Sequence, residues 1–245
     1  MRAAFSSVEW VAAAAVMAFA SFVLGLAGFG NGLVAIGLLP WLIPPAQAIV
    51  VLTIYTIVFS VLIFLPVRDH VTPGRVIHLI AGTMLGTPLG VWALSRVSAS
   101  TLTRLIGAVL VLVVLLEWLG AYPDRLRGRW WGLGAGVLAG MAGGAVGTPG
   151  PPVVLYSTTQ GWSPRTIKAN LQVFFFVNQA AILAGYWWVG LVDGQAWRLA
   201  GSFVVPAAAG TALGMFCFDR VDQRRFRRIV FGLLLVFGIL LLGRG

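Results

Sequence analysis

The 245-residue chain is 59% hydrophobic and only 10% charged, against roughly 45–50% and about 25% in soluble domains. That balance excludes a water-surrounded globule, because a fold of this size needs a polar skin, and it makes lipid the solvent for most of the surface. A net charge of +10 would suit a nucleic-acid binder. However, the arginines form short clusters between apolar segments (Arg125, Arg127 and Arg129; Arg224, Arg225, Arg227 and Arg228), the pattern that retains loops in the cytoplasm.

From Trp10 to Val67 there is no Asp, Glu, Lys or Arg. Roughly 20 apolar residues cross a bilayer core, so this run has the length of nearly three passages. The amino terminus has no clear small-residue cleavage site ahead of a polar domain, so the first apolar segment is expected to be structural and not a removed signal. That segment, Val8–Ile43, is interrupted by GFGNG, Gly28 to Gly32, where glycine density breaks a helix. Helices are predicted next over Ala46–Val67, Val76–Leu94 and Leu102–Leu119. A linker at 122–129, placed in the cytoplasm, leads to a second interrupted segment, Trp130–Thr159, broken by GTPGPP, Gly147 to Pro152. Helices over Ala169–Val192, Ala196–Phe218 and Phe226–Leu242 complete the chain. Cys217 stands alone, which rules out a disulfide within the chain.

The two halves, 1–121 and 130–245, repeat one another. GTPLGVWALSRVS, Gly86 to Ser98, returns as GTALGMFCFDRVD, Gly210 to Asp222, and Leu24–Gly28 resembles Ala139–Gly143. After each break only about ten apolar residues remain, about 15 Å of helix, half a bilayer. Unwound backbone at that depth is tolerated only inside protein or beside a water-filled cavity, so a re-entrant hairpin is expected in each half. Charge counting agrees. Eight plain spans divide the Lys and Arg residues 8 against 9 between the two sides, whereas two hairpins divide them 12 against 5, the asymmetry of the positive-inside rule. The expected fold is therefore an all-α polytopic membrane protein of two inverted repeats, each a broken hairpin plus three spans. Both termini are expected to be external (periplasmic). Inverted repeats with broken helices are the architecture of secondary transporters.

The helices that restart after each break present their amino termini inside the membrane, where free amides and the helix dipole favour an anion. Gly30, Asn31 and Gly32 in the first break, and Gly147 and Thr148 in the second, are the candidate backbone and side-chain donors. The helix after each break adds a polar stripe. Thr53, Thr56 and Ser60 share one face, and Gln172 and Gln179 share another, with Asn170 and Asn178 beside them. Aligned on Pro45 and Pro164, Thr53 meets Gln172 and Ser60 meets Gln179. Interhelical hydrogen bonding is the competing role for these groups. The glycines at 82, 86 and 90, with 210 and 214, read as close helix packing, with Thr87 and Thr211 beside them. Tryptophans near segment ends (Trp41, Trp130, Trp131, Trp187, Trp188, Trp197) read as interfacial anchors. Lys168 fits a cytoplasmic loop charge or an attractor of anions. Glu117 and His78 lie near helix ends. No nucleophile–base pair, paired carboxylates or histidine cluster is present among so few ionisable residues, so neither catalysis, a metal nor a cofactor is expected.

GLAGFGNGLVAIGLLP, PPAQAIVVLT, AGMAGGAVGTPGPPVVLY and SPRTIKANLQVFFF together resemble the TauE/SafE sulfite exporter family of membrane carriers, over nearly the whole chain. The resemblance implies a bacterial inner-membrane carrier that moves small sulfur-containing or organic anions such as sulfite, thiosulfate and sulfonates, outward in most cases. It also places the substrate at the paired breaks and the polar positions after Pro45 and Pro164. Uptake of the anion, or an anion channel, is the alternative. The expected partners are the small anion and the bilayer, with a homodimer allowed and nucleic acid excluded.

Overall fold

The computed structural model describes residues 7–119, 128–218, 220, 221 and 223–244. Most of the linker, and the side chains of Glu117 and the Arg224–Arg228 cluster, lie outside the described residues. Among the described residues all regular structure is helical: α1 Ser7–Ala27, α2 Asn31–Leu38, α3 Pro45–Phe64, α4 Pro73–Arg96, α5 Ala99–Trp118, α6 Arg129–Val146, α7 Gly150–Thr159, α8 Pro164–Trp188, α9 Gly194–Ser202, α10 Val204–Cys217 and α11 Gln223–Arg244, with 3₁₀ turns at Leu39–Trp41 and Leu65–His70. Among the described residues, five helices are long and apolar enough to cross a membrane, or six when the bent pair α9–α10 counts as one span. The chain is a polytopic α-helical membrane protein.

Each boundary has a local cause. Gly28 and Gly30 adopt positive φ (81° and 94°), which stops α1, and α2 starts at once from Asn31. Gly147, at φ 72°, ends α6 in the same way. There the Gly147 N–H donates to the Gly143 carbonyl and the Thr148 N–H to the Ala142 carbonyl, a glycine-terminated cap that occupies two otherwise orphan carbonyls. Pro45 and Pro164 open α3 and α8 at a position where no N–H is needed, and the Ser163 side chain accepts the Thr166 N–H to cap α8. Ala27, Asn31 and Pro45 therefore recur in function as Val146, Gly150 and Pro164, each 119 residues later.

One predicted helix is not continuous. The segment read as Ala196–Phe218 is bent by 52° between α9 and α10. Pro206 explains the bend, since it lacks an N–H and its ring crowds the carbonyl one turn back. The Ala200 carbonyl, which lies at the end of α9, accepts a hydrogen bond from the Tyr55 hydroxyl of α3.

Packing joins the halves crosswise. The closest pairs are α4 with α6, α1 with α10, α5 with α11 and α3 with α8. Exchanging the two halves leaves this set unchanged. In α4 a Cβ added at Gly82, Gly86 or Gly90 would run into the carbonyls of Leu133, Val137 or Met141. In α10 one added at Gly210 or Gly214 would run into those of Ala18 or Phe22. The matched order of those contacts makes α4 parallel to α6 and α1 parallel to α10. By contrast Gly107 abuts Leu242 while Gly238 abuts Leu110 and Val111, so α5 and α11 run antiparallel. Leu85 (63% exposed), Trp92 and Leu213 point outward, as an apolar face does where lipid is the solvent.

Candidate functional site

The two breaks meet. A Cβ on Gly32 would collide with the Gly147 carbonyl oxygen, and one on Gly150 would stand 3.9 Å from the Phe29 side chain. A cavity lies at this joint, lined by Gly30, Asn31, Gly32, Leu33, Thr56, Gly147, Thr148, Pro149, Gly150, Pro151, Phe175 and Gln179. Six of the ten residues singled out from sequence (Gly30, Asn31, Gly32, Gly147, Thr148 and Gln179) thus converge on one space. At about 10 Å³ it holds at most one water, so the joint is closed.

The lining carries no ionisable side chain. The N–H groups of Asn31, Gly32 and Leu33 occupy the first turn of α2, where no helical carbonyl precedes them, and the first backbone bond of that helix runs from Val34 to Gly30. The matching end of α7 is poorer than its sequence position implied. Pro151 and Pro152 have no N–H, so among its first three residues only Gly150 brings one. Thr148 is 2% exposed and its hydroxyl has no partner. Gln179 is equally buried, and its carboxamide oxygen is likewise unpaired. Asn31 is already engaged: its Nδ2 donates to the Thr56 hydroxyl at 2.7 Å, which donates in turn to the Leu52 carbonyl at 2.8 Å.

The remaining candidates sit elsewhere. Thr53 and Ser60 turn back onto their own helix, donating to the carbonyls of Ile49 and Ile57. Asn170 exchanges two hydrogen bonds with Thr72 and ties α8 to the start of α4. Gln172 donates from Nε2 to the Gly28 carbonyl at 2.7 Å, which fastens the first break but leaves its Oε1 unpaired. Thr87 and Thr211 are buried with unpaired hydroxyls, outside the cavity lining. The member of the α3 stripe that reaches the joint is Thr56. Its place in the second half belongs to Phe175, 119 residues on, which also lines the cavity; the alignment on Pro45 and Pro164 contains this pair, but only its polar-to-polar matches draw attention in the sequence.

Lys168 is not a loop charge. It is 6% exposed, its Nζ donates to the Gly25 carbonyl at 2.9 Å, and it lies 3.8 Å from the centre of the Phe218 ring. A cation at the carboxyl end of α1 complements the helix dipole. One turn further along α8, Gln172 holds the next segment of the same break, so α8 closes the end of α1 with two side chains.

A family model described as sulfite exporter TauE/SafE matches residues 13–241. The chain belongs to this family. A relative from Cupriavidus necator, described as a probable sulfite/organosulfonate exporter TauE, is 26% identical over 217 residues, covering 86% of this chain and 85% of that protein. No solved structure matches the chain. The family is one of membrane transporters, and both breaks, the helices that follow them and the crosswise packing all lie within the matched range.

Proposed function

We propose that this transporter binds a small singly charged sulfur oxyanion or organosulfonate at the joint of the two breaks and carries it out of the cytoplasm. The observation that carries the reading is the meeting of the α2 amino terminus with the unpaired Thr148 hydroxyl in a buried cavity without a carboxylate. Three amide donors on one side and a hydroxyl on the other can surround the oxygens of a sulfonate or hydrogen sulfite, and the dipole of α2 supplies partial positive charge. Gln179 adds an NH₂ when its carboxamide turns inward.

The closed joint implies how the anion enters. Gly32 must withdraw from Gly147 before even the sulfonate head group, one sulfur and three oxygens, fits, and the two residues belong to different halves. Rocking one half against the other opens the joint to one side or the other. The antiparallel pairing of α5 with α11 supports the inverted relation of the repeats that such alternating access uses. In the same reading both termini face the periplasm, the broken segments are re-entrant, and the protein sits in the bacterial inner membrane.

An inside-negative potential contributes about 2.3 kcal/mol per elementary charge per 100 mV, so a monoanion needs no coupled ion to leave. Efflux of preloaded methanesulfonate from proteoliposomes tests this. Setting the interior negative with a potassium gradient and valinomycin is expected to accelerate efflux, and an inside-positive potential to slow it. Efflux indifferent to potential overturns uniport, and conductance far above carrier turnover in a planar bilayer identifies a channel.

A further inference from the structure

A second cavity adjoins the first and has the opposite chemistry. It is lined by Val23, Ala27, Phe29, Gly30, Leu33, Val230, Phe231 and Leu234, and none of these side chains carries a polar atom. Gly30 and Leu33 line both cavities. The partition at Gly30 bears only hydrogen, and its φ of 94° disfavours any residue with a Cβ. A Cβ there would also press on Val23 Cγ1 at 3.3 Å. A pocket with polar groups and an apolar pocket that meet at Gly30 and Leu33 match a molecule with a charged head and a short hydrocarbon tail.

We propose that the apolar cavity between the first break and α11 receives the tail of the transported anion, so that the preferred substrates are short-chain alkanesulfonates in place of bare oxyanions. This rests on the reading of the joint as the anion site. At about 20 Å³ the cavity is contracted, as the joint is, and the two share walls at Gly30 and Leu33. Parting the breaks therefore enlarges both. Val230, Phe231 and Leu234 are supplied by α11 of the second half, so a tail lying there bridges the halves and reports their closure.

The test is a titration series of methane-, ethane-, propane- and butanesulfonate with purified full-length protein. Affinity is expected to rise roughly fourfold for each added methylene until the cavity is full. Ala27→Phe, which fills the cavity, should flatten the series and leave methanesulfonate binding as it was. Val230→Ala, which enlarges the cavity conservatively, should shift the optimum to a longer chain and serves if the first variant does not fold. A flat series in the native protein overturns the tail site while leaving the anion site standing. A chain-length dependence unchanged by both variants places the tail elsewhere and also overturns it. So does loss of a co-purified lipid in Ala27→Phe without any change in the series, because the cavity would then belong to the bilayer. If none of the sulfonates binds, the anion reading itself fails, and the tail site fails with it.

Discussion

Thr148 brings to the joint a hydroxyl with no partner, whereas Gln172 already spends its amide on the Gly28 carbonyl. The two substitutions should therefore separate binding from stability. Thr148→Val is nearly isosteric and removes no hydrogen bond within the protein, so the melting temperature should hold or rise slightly. Anion affinity should fall by about tenfold or more, because a hydrogen bond to a charged group contributes on the order of 1.5–3 kcal/mol. Gln172→Leu leaves the Gly28 carbonyl buried without a donor, which costs roughly 1–3 kcal/mol and should appear first as a lower melting temperature. Thermal melts and ligand titrations on both variants check the pair. An unchanged affinity in Thr148→Val would remove that hydroxyl from the site. Both glutamines look alike in the sequence, as amides two turns apart on one helix. Which amide lines the joint and which fastens the break depends on where α1 ends relative to α8, a tertiary relation that periodicity does not carry. Lys168 follows the same logic, since proximity to Arg165 and a helix start reads as loop while the fold carries it to the end of α1.

At the scale of elements, composition spoke most clearly where backbone chemistry decides the outcome. Both breaks were legible as glycine and proline runs, because no side-chain packing can rescue a helix there, and Pro45 and Pro164 open helices as their fixed φ requires. The bend at Phe203 was missed because Pro206 sits in an otherwise unbroken apolar run, and a proline there kinks or is tolerated according to what receives the freed carbonyl. Here the Tyr55 hydroxyl, from α3, donates to the Ala200 carbonyl beside the bend. The glycine stripe of α4 was read as packing, and the contacts agree: Gly86 lies directly against the Val137 carbonyl of α6. Gly86→Leu should therefore push α4 off α6 and abolish the folded monodisperse species, whereas Leu85→Ala on the outward face should leave it in place. Size-exclusion profiles of the two variants decide this, and a well-folded Gly86→Leu protein would contradict the close packing.

For the whole molecule, duplication is visible in the sequence through GTPLG and GTALG, and the fold adds the crosswise pairing that makes two halves one body. The relative position of the breaks was not legible. Nothing in two separate glycine runs announces that Gly32 rests on Gly147, because that contact belongs to the assembly of the halves and not to either one. The proposed topology places the carboxyl terminus outside, so a reporter active only in the cytoplasm and fused after Gly245 should be silent; a strong signal would overturn this orientation. The central claim is that neutral donors at the joint hold a singly charged anion, since a compact dianion loses too much hydration on entering a site with no cation in its lining. Titration of methanesulfonate and of sulfate against one preparation of the purified protein tests it most directly. The sulfonate should bind in the micromolar-to-millimolar range, about −4 to −8 kcal/mol, and sulfate more weakly. Tighter binding of sulfate would contradict the account and require a cation at the ligand, with Lys168 released from the Gly25 carbonyl as its source.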